Sequence, residues 1–327
     1  AAEGGKTALV VGAGPAGLMA AEELARAGLA VTVAEAMPSL GRKFLMAGKS
    51  GLNITKDEDD AAFRAAYGSA AAPLAPMLAA FGPREAMDWA EALGQLVFTG
   101  SSGRVFPVAM KASPLLRAWA ARLDVLGVTL RTRWRWAGWS EGGHRIETPE
   151  GVRELRPDVA VLALGGASWA RLGADGAWAR AFAAAGIPLA AFRPANVGLS
   201  VAWSPPMARH CGAPLKACTF RAGGRAVRGE AILSARGLEG GAIYALSPEL
   251  RDGAALTVDL APDRGAAALA ARLSRPRGKA TRAAHLRKAT GLPPVKLALL
   301  REAGPLPEAP EALAARIKAC PVAHDGP

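Results

Sequence analysis

Cysteine, histidine and tyrosine are scarce in this chain of 327 residues, which holds 3 Cys, 4 His and 2 Tyr. Cys211, Cys218 and Cys320 are too few for a disulfide scaffold, and no C-x-x-C pair is present for dithiol redox work. His144, His210, His285 and His324 are scattered without ligand spacing, so no metal centre is expected. His210 adjoins Cys211, but no nucleophile motif surrounds the pair. Long apolar runs are missing too. The longest uncharged stretch near the start, Thr7 to Ala21, has 15 residues and carries three glycines and a proline. A bilayer span needs about 20 apolar residues. The stretch also lacks the flanks of a secretory signal. The expectation is a cytoplasmic protein with reduced thiols and no membrane association.

What is present is a half-hydrophobic chain, 51% by count, with a formal charge of +12. That length suggests two domains, or three small ones. The charge suits an anionic partner, although an Ala-, Gly- and Arg-rich composition accounts for part of it. Along the chain, 7–11 reads as a buried strand, 16–27 as a helix with Leu18, Ala21 and Leu24 on one face, and 29–34 as a second strand. A glycine-rich loop follows at 41–53. Helices are predicted at 57–65, 73–96, 114–126 and 176–185, and strands at 128–139 and 159–164. After about residue 190 the pattern becomes short alternating runs, at 197–201, 215–220, 226–233 and 256–260, typical of an antiparallel, barrel-like sheet. From 264 the chain reads as helical, with a last short helix at 308–319. The predicted organisation is residues 1–190 as a nucleotide domain, 191–262 as an inserted β-rich domain, and 263–327 as a basic helical module leading back towards the first domain.

The sharpest motif is Gly12-Ala13-Gly14-Pro15-Ala16-Gly17. It follows an apolar strand and opens a helix, and Glu35 stands 23 residues after Gly12 at the end of the next strand. This is the full dinucleotide fingerprint. Gly12 permits the tight turn, Gly14 lets a pyrophosphate approach the backbone, and Gly17 lets helix pack on strand. The helix N-terminus offers unpaired N–H groups and partial positive charge. Glu35 can accept hydrogen bonds from ribose hydroxyls and would repel a 2′-phosphate, which favours FAD or NAD(H) over NADP(H). Ala36 begins a short loop that ends in Gly41-Arg42-Lys43, as in FAD domains of the glutathione-reductase type. The strand ending Leu164-Gly165-Gly166 resembles the strand end that turns beside the cofactor in flavoproteins with two dinucleotide sites; a purely structural turn is the alternative. No second G-x-G-x-x-G follows a strand, so NAD(P)H would bind only transiently. The fold class is α/β: a Rossmann-like FAD-binding domain with an inserted β-barrel-like domain and a small helical module.

The run Gly41 to Thr55 resembles the loop of the BaiN-like flavoproteins, also called the aminoacetone oxidase family of NAD(P)/FAD-dependent oxidoreductases. Three further stretches are similar: Leu164–Trp169 with Gly173–Gly176, Arg228-Gly229-Glu230 with Gly237–Gly241, and Arg275–Lys279. The resemblance implies an FAD domain interrupted by the inserted domain. It also implies a cytosolic bacterial flavoprotein. Two departures stand out. Where the family carries Gly-Arg-Cys-Asn, this chain has Ser50-Gly51-Leu52-Asn53, which removes any thiol role. The family also returns after the insert to a segment that completes the FAD site, whereas this chain reaches Pro327 at about that crossing. A fragment or a shortened product is therefore expected.

Arg42 and Lys43 are candidates for contact with pyrophosphate or flavin, or else form a solvated basic pair. Asn53 is a candidate for the flavin edge, or a turn former. Trp136 lies in the segment that resembles the adenine-contacting strand of related flavoproteins, or belongs to the core. Asp175 reads as a helix N-cap. No catalytic acid or base stands out, as suits chemistry carried by the flavin. The function expected is an FAD-dependent oxidoreductase that passes hydride between a small organic substrate and flavin, with NAD(P)H or oxygen as co-substrate. Residues 264–301 hold ten Lys/Arg and no Asp or Glu, but also no Phe, Tyr or Trp for base stacking. They raise the alternative of an RNA-associated flavoprotein that docks tRNA. A truncated, non-catalytic flavoprotein fragment is a third reading.

Overall fold

The computed structural model describes residues 5–48 and 51–327. Lys49 and Ser50, part of the loop singled out above, lie outside the described residues. The chain divides into two compact units, Ala1–Phe192 and Arg193–Pro327.

The first unit opens with β1 (Thr7–Val11), α1 (Pro15–Arg26) and β2 (Ala30–Glu35). The glycine-rich region forms α2 (Arg42–Ala47). A small sheet of β3 (Thr55–Lys56), β4 (Val97–Thr99) and β5 (Arg104–Pro107) surrounds α3 (Asp60–Ala65), α4 (Ala71–Ala80) and α5 (Pro83–Ala92) in sequence. The helical stretch predicted at 73–96, with Pro83 near a helix start, is two helices. The break falls at Phe81-Gly82, where Pro83 starts α5 and Glu85 accepts a hydrogen bond from Gly82 N at 2.9 Å. Then come α6 (Ala112–Val125), β6 (Thr129–Thr132), β7 (Arg135–Ser140), β8 (Gly143–Thr148), β9 (Gly151–Leu155), β10 (Val159–Leu162) and α7 (Ala179–Ala184). The strand predicted over 128–139 is interrupted because Arg133 takes a left-handed φ of 56°. That turn sends β6 into one sheet and β7 into another.

The main sheet is parallel, in the order β10-β1-β2-β6. Both faces of β1 are buried, which explains its unbroken apolar run. Ala8 and Val10 face a core shared with Leu18 and Ala21 of α1 and Leu115, Trp119 and Leu123 of α6. Leu9 and Val11 face the opposite core, with Trp136 of β7 and Ile146 of β8. A buried carboxylate ties the helices together. Glu22 of α1 accepts from Trp119 Nε1 at 2.7 Å, Arg26 Nη2 at 2.7 Å and Arg122 Nη1 at 3.1 Å. Burial alone would raise its pKa, but these hydrogen bonds outweigh it and hold the group below its ordinary value.

The second unit contains an antiparallel six-stranded sheet. Its strands are β11 (Leu199–Ser200), β12 (Pro214–Ala222), β13 (Arg225–Ser234), β14 (Gly237–Glu239), β15 (Leu256–Asp259) and β16 (Cys320–Val322), in the order β11-β14-β13-β12-β15-β16. The two edges are drawn together by Ser200 N to Gly326 O at 2.8 Å and Asp325 N to Ser200 O at 2.9 Å, which gives the sheet its half-barrel form. The helices are α8 (Pro205–Ala208), α9 (Gly241–Ala245), α10 (Ser247–Arg251), α11 (Ala266–Leu273), α12 (Arg282–Thr290), α13 (Pro294–Glu302) and α14 (Pro310–Lys318). Residues 191–262 and 263–327, read from the sequence as two modules, share one continuous core. Leu215, Phe220 and Leu233 of the sheet pack in it with Leu269, Leu299 and Ile317 of the helices. Cys320–Val322 form the last strand of this sheet, and Asp325 and Gly326 bond to Ser200 of β11. Lys296 is buried at 6% exposure and donates to Ala217 O at 3.0 Å and Leu260 O at 2.8 Å, pinning α13 to the sheet.

Candidate functional site

The turn between β1 and α1 is built by glycines with different duties. Gly12 has a φ of +101°, and a Cβ there would stand 2.4 Å from Ala163 O. A Cβ on Gly17 would stand 1.8 Å from Gly12 O, so this residue lets α1 approach the turn. Gly14 differs from both. Its backbone is extended (φ −80°, ψ 178°), and nothing lies within 4 Å of a Cβ built on it. Packing requires glycine at positions 12 and 17, whereas Gly14 faces open space.

That space is a cleft. One cavity of about 540 Å³ is walled by Gly12–Gly14, Ala34–Ala36, Arg42, Lys43, Trp134–Ala137, Leu164 and Gly165. A second, of about 720 Å³, is lined by Pro15, Ala16, Phe44, Phe182 and Leu189. The two share Gly14, Lys43, Ala163, Leu164, Gly165 and Trp178, so they adjoin at the start of α1. No side chain caps that helix. Pro15 brings no N–H, so the free amides of the first turn are those of Ala16 and Gly17. Their positive end faces an opening that suits an anion.

Glu35 organises one side. Its Oε2 accepts from Ala13 N at 2.7 Å and its Oε1 from Met37 N at 2.8 Å. The carboxylate therefore fixes the glycine turn and the following loop while each oxygen keeps a further lone pair for a ligand. Trp134 N donates to Glu35 O at 2.9 Å, bringing the start of the second strand layer to the same point. Trp136, 8% exposed, lines the first cavity and donates from Nε1 to His144 Nδ1 at 3.1 Å. His144 is a neutral acceptor in this contact, and burial pushes its pKa below the ordinary value. Arg42 donates from Nη1 to Ser39 Oγ at 3.3 Å, while its Nε is buried without a partner. Lys43 Nζ donates to Ser168 Oγ at 3.0 Å.

Most of the residues singled out from the sequence meet here. Gly12, Gly14, Glu35, Ala36, Arg42, Lys43, Trp136, Leu164 and Gly165 line the first cavity, and Pro15 and Ala16 the second. Gly17 is buried behind the turn. Gly166 is half-buried and Asn53 exposed, and neither lines either cavity. Leu52, where the resembling family has cysteine, is buried in the core at 4% exposure. Sequence reasoning passed over Trp178, whose Nε1 donates to Gly165 O at 3.1 Å and whose ring forms a wall of both cavities. It also passed over Arg135, paired with Asp175 at 3.7 Å in the same cleft. Asp175 accepts from Ala177 N at 3.0 Å and so caps the turn that leads into α7. The signal for these residues was the Gly173-Ala174-Asp175-Gly176 turn, which brings the chain back to the cleft.

Among the described residues no group of three or more potential metal ligands occurs, and no helix is long and apolar enough to cross a membrane. The site is a cleft of two adjoining cavities. It has a helix N-terminus at its middle, a carboxylate and aromatic rings on one side, and an apolar chamber on the other.

A family model described as the HI0933-like protein Rossmann domain matches residues 6–269. Among solved structures the chain is similar to THI4 of Thermovibrio ammonificans, at 17% identity and a TM-score of 0.37, over 63% of this chain and 71% of that one. It is similar to glycine oxidase from Geobacillus kaustophilus at 18% identity and a TM-score of 0.37, over 56% of this chain and 60% of that one. Glycine oxidase from Bacillus cereus gives 16% identity and a TM-score of 0.32, over 50% and 57%. The chain spans less than two thirds of either oxidase. No curated protein matches it. The matched segment runs from the strand before the glycine turn into the second unit, well over half of the sequence, and the chain belongs to the HI0933-like Rossmann family.

Proposed function

We propose that the first unit binds FAD and that the protein is an FAD-dependent oxidoreductase acting on a small organic substrate, with NAD(P)H or oxygen as co-substrate. The observation that carries this reading is the open face of Gly14 at the junction of two adjoining cavities. An extended dinucleotide needs such a passage, with its pyrophosphate at the uncapped start of α1. The partnerless buried Nε of Arg42 in the wall of the first cavity also suits an anionic guest. The residues present therefore fit the group.

FAD, when bound, supplies a flavin ring that accepts or returns hydride. Around it this chain binds and orients. Glu35 keeps lone pairs for ribose hydroxyls while it braces the turn through Ala13 and Met37. Ala16 and Gly17 offer amides to the pyrophosphate. Arg42 adds a cation at its edge, and Lys43, held by Ser168, a second. Phe44, Phe182 and Leu189 make the second cavity apolar enough to exclude water from a planar ring system. No acid or base of this unit is assigned to proton transfer.

Incubation of the purified chain with FAD, followed by desalting and a visible spectrum, tests the reading. Retained flavin bands that bleach on anaerobic addition of NADH, NADPH or a reducing substrate are expected. A colourless protein at high FAD concentration would overturn it.

A further inference from the structure

The positive charge of the molecule sits almost wholly in the second unit. Residues 193–327 hold 20 Lys/Arg and 10 Asp/Glu, a net +10, whereas residues 1–192 hold 20 and 18, a net +2. An arginine-rich composition would have raised both units alike, so the excess is a property of this one. Its densest part is 264–301, with ten basic residues and no acidic one. Three of the ten are used internally. Arg264 donates to Thr290 O, Arg282 to Leu306 O and Pro307 O, and Lys296 to Ala217 O and Leu260 O. The other seven are all exposed. The ion pairs of this unit lie elsewhere among the described residues, as in Arg228 with Asp263 and Lys318 with Asp259.

The centre of the patch is the connection between α11 and α12, where Arg275, Arg277 and Lys279 fall within a run of eleven exposed residues, 274–284. It is a shaped turn rather than a loose tail. Gly278 has a φ of +56°, and Ala280 N donates to Arg277 O at 3.1 Å. Both ends are fixed, by His285 Nε2 against Leu273 O at 3.0 Å and by Thr281 Oγ accepting from Ala284 N at 3.2 Å. Arg301, at the end of α13, lines a groove together with Arg282 and Leu286 of α12.

We propose that this surface docks the phosphate backbone of a double-helical nucleic acid. Charge complementarity asks for a dense polyanion, since the exposed cations have no internal counter-charge. What the surface lacks selects among polyanions. Among the described residues from 245 to 327, no large hydrophobic side chain is exposed. An acidic protein partner would need aromatic or aliphatic anchors, and a lipid surface would need an apolar face to insert. Single strands call for stacking aromatics, and 264–301 contain none. Contacts to a duplex backbone need only cations in a fixed arrangement. The proposal does not rest on the flavin reading.

The test is fluorescence anisotropy of the full chain, with and without FAD, against labelled RNA and DNA duplexes of about 20 base pairs and a single strand of equal length, over salt from about 50 to 200 mM. Binding to either duplex that weakens steeply with salt is expected, and the tighter arm names the source. The variant Arg275→Ala/Arg277→Ala/Lys279→Ala should bind roughly tenfold or more weakly and lose about 2.7 from the log–log salt slope. A control that removes equal charge from the first unit, Arg84→Ala/Arg117→Ala/Arg145→Ala, should bind as wild type does. No duplex binding at low salt, tighter binding of the single strand, or equal losses in the two triple variants would each overturn the proposal. Flavin absorbance in the same samples reports separately on the first unit.

Discussion

Gly14→Glu separates the binding role of the glycine turn from its folding role. The backbone at Gly14 is extended and a Cβ meets nothing within 4 Å, so the substitution introduces neither strain nor a clash. Its cost to stability should stay within about 0.5 kcal/mol. The new side chain, however, enters the space in front of the free amides of Ala16 and Gly17 and brings a negative charge to the place proposed for a pyrophosphate. Losing two charge-assisted hydrogen bonds, at about 1.5–3 kcal/mol each, predicts a Kd for FAD about 10²–10⁴-fold weaker. Gly14→Ala, with only a methyl group in open space, should weaken FAD by about tenfold at most. Gly17→Ala provides the opposite case. Its Cβ would stand 1.8 Å from Gly12 O, and it should destabilise the first unit by about 3 kcal/mol or more. Flavin fluorescence titration and thermal unfolding read the two effects. A Gly14→Glu protein with native unfolding and FAD affinity within about threefold of wild type would refute the reasoning.

Other outcomes follow from buried polar groups. The pKa of Glu22 is held below its ordinary value of 4.5 in the fold, so its contribution is complete above that pH and is lost as pH falls through the lowered folded value. Glu22→Gln should cost about 2 kcal/mol near neutral pH and flatten the acid limb of the stability curve, as measured by urea unfolding from pH 6 to about 3. Lys296→Met leaves the carbonyls of Ala217 and Leu260 without their donor and should lower the stability of the second unit by about 2–3 kcal/mol, with flavin binding unchanged. Glu35→Ala removes the brace on Ala13 and Met37 along with the ribose acceptor. Flavin titration should then report FAD weakened about tenfold or more and FMN little affected.

The nucleotide half of the fold is readable in the sequence because its signals are local. The strand, turn, helix and second strand that end at Glu35 lie within 29 residues, from Thr7 to Glu35, and Gly12 and Gly17 have steric duties that only glycine meets. The rest depends on conformations or contacts that residue types do not announce. Arg133 breaks a predicted strand by adopting a left-handed φ with no glycine to signal it. Trp178 reaches the cleft through a turn more than ten residues beyond β10, and its hydrogen bond to Gly165 has no periodic signature. In the second unit, helices α11 to α14 and the sheet were read as separate because apolar periodicity gives faces, not the elements they pack against. Lys296 carries the same lesson for charge, since in sequence it is one of ten cations and in the fold it is a buried strut.

On the FAD-binding proposal the cleft of the first unit holds FAD along its whole length. A titration of the wild-type chain with FAD and FMN under one set of conditions tests it most directly. FAD should bind about 100-fold or more tightly than FMN, which lacks the adenosine that the Glu35 and Trp136 side would hold. FMN binding as tightly as FAD would contradict this placement.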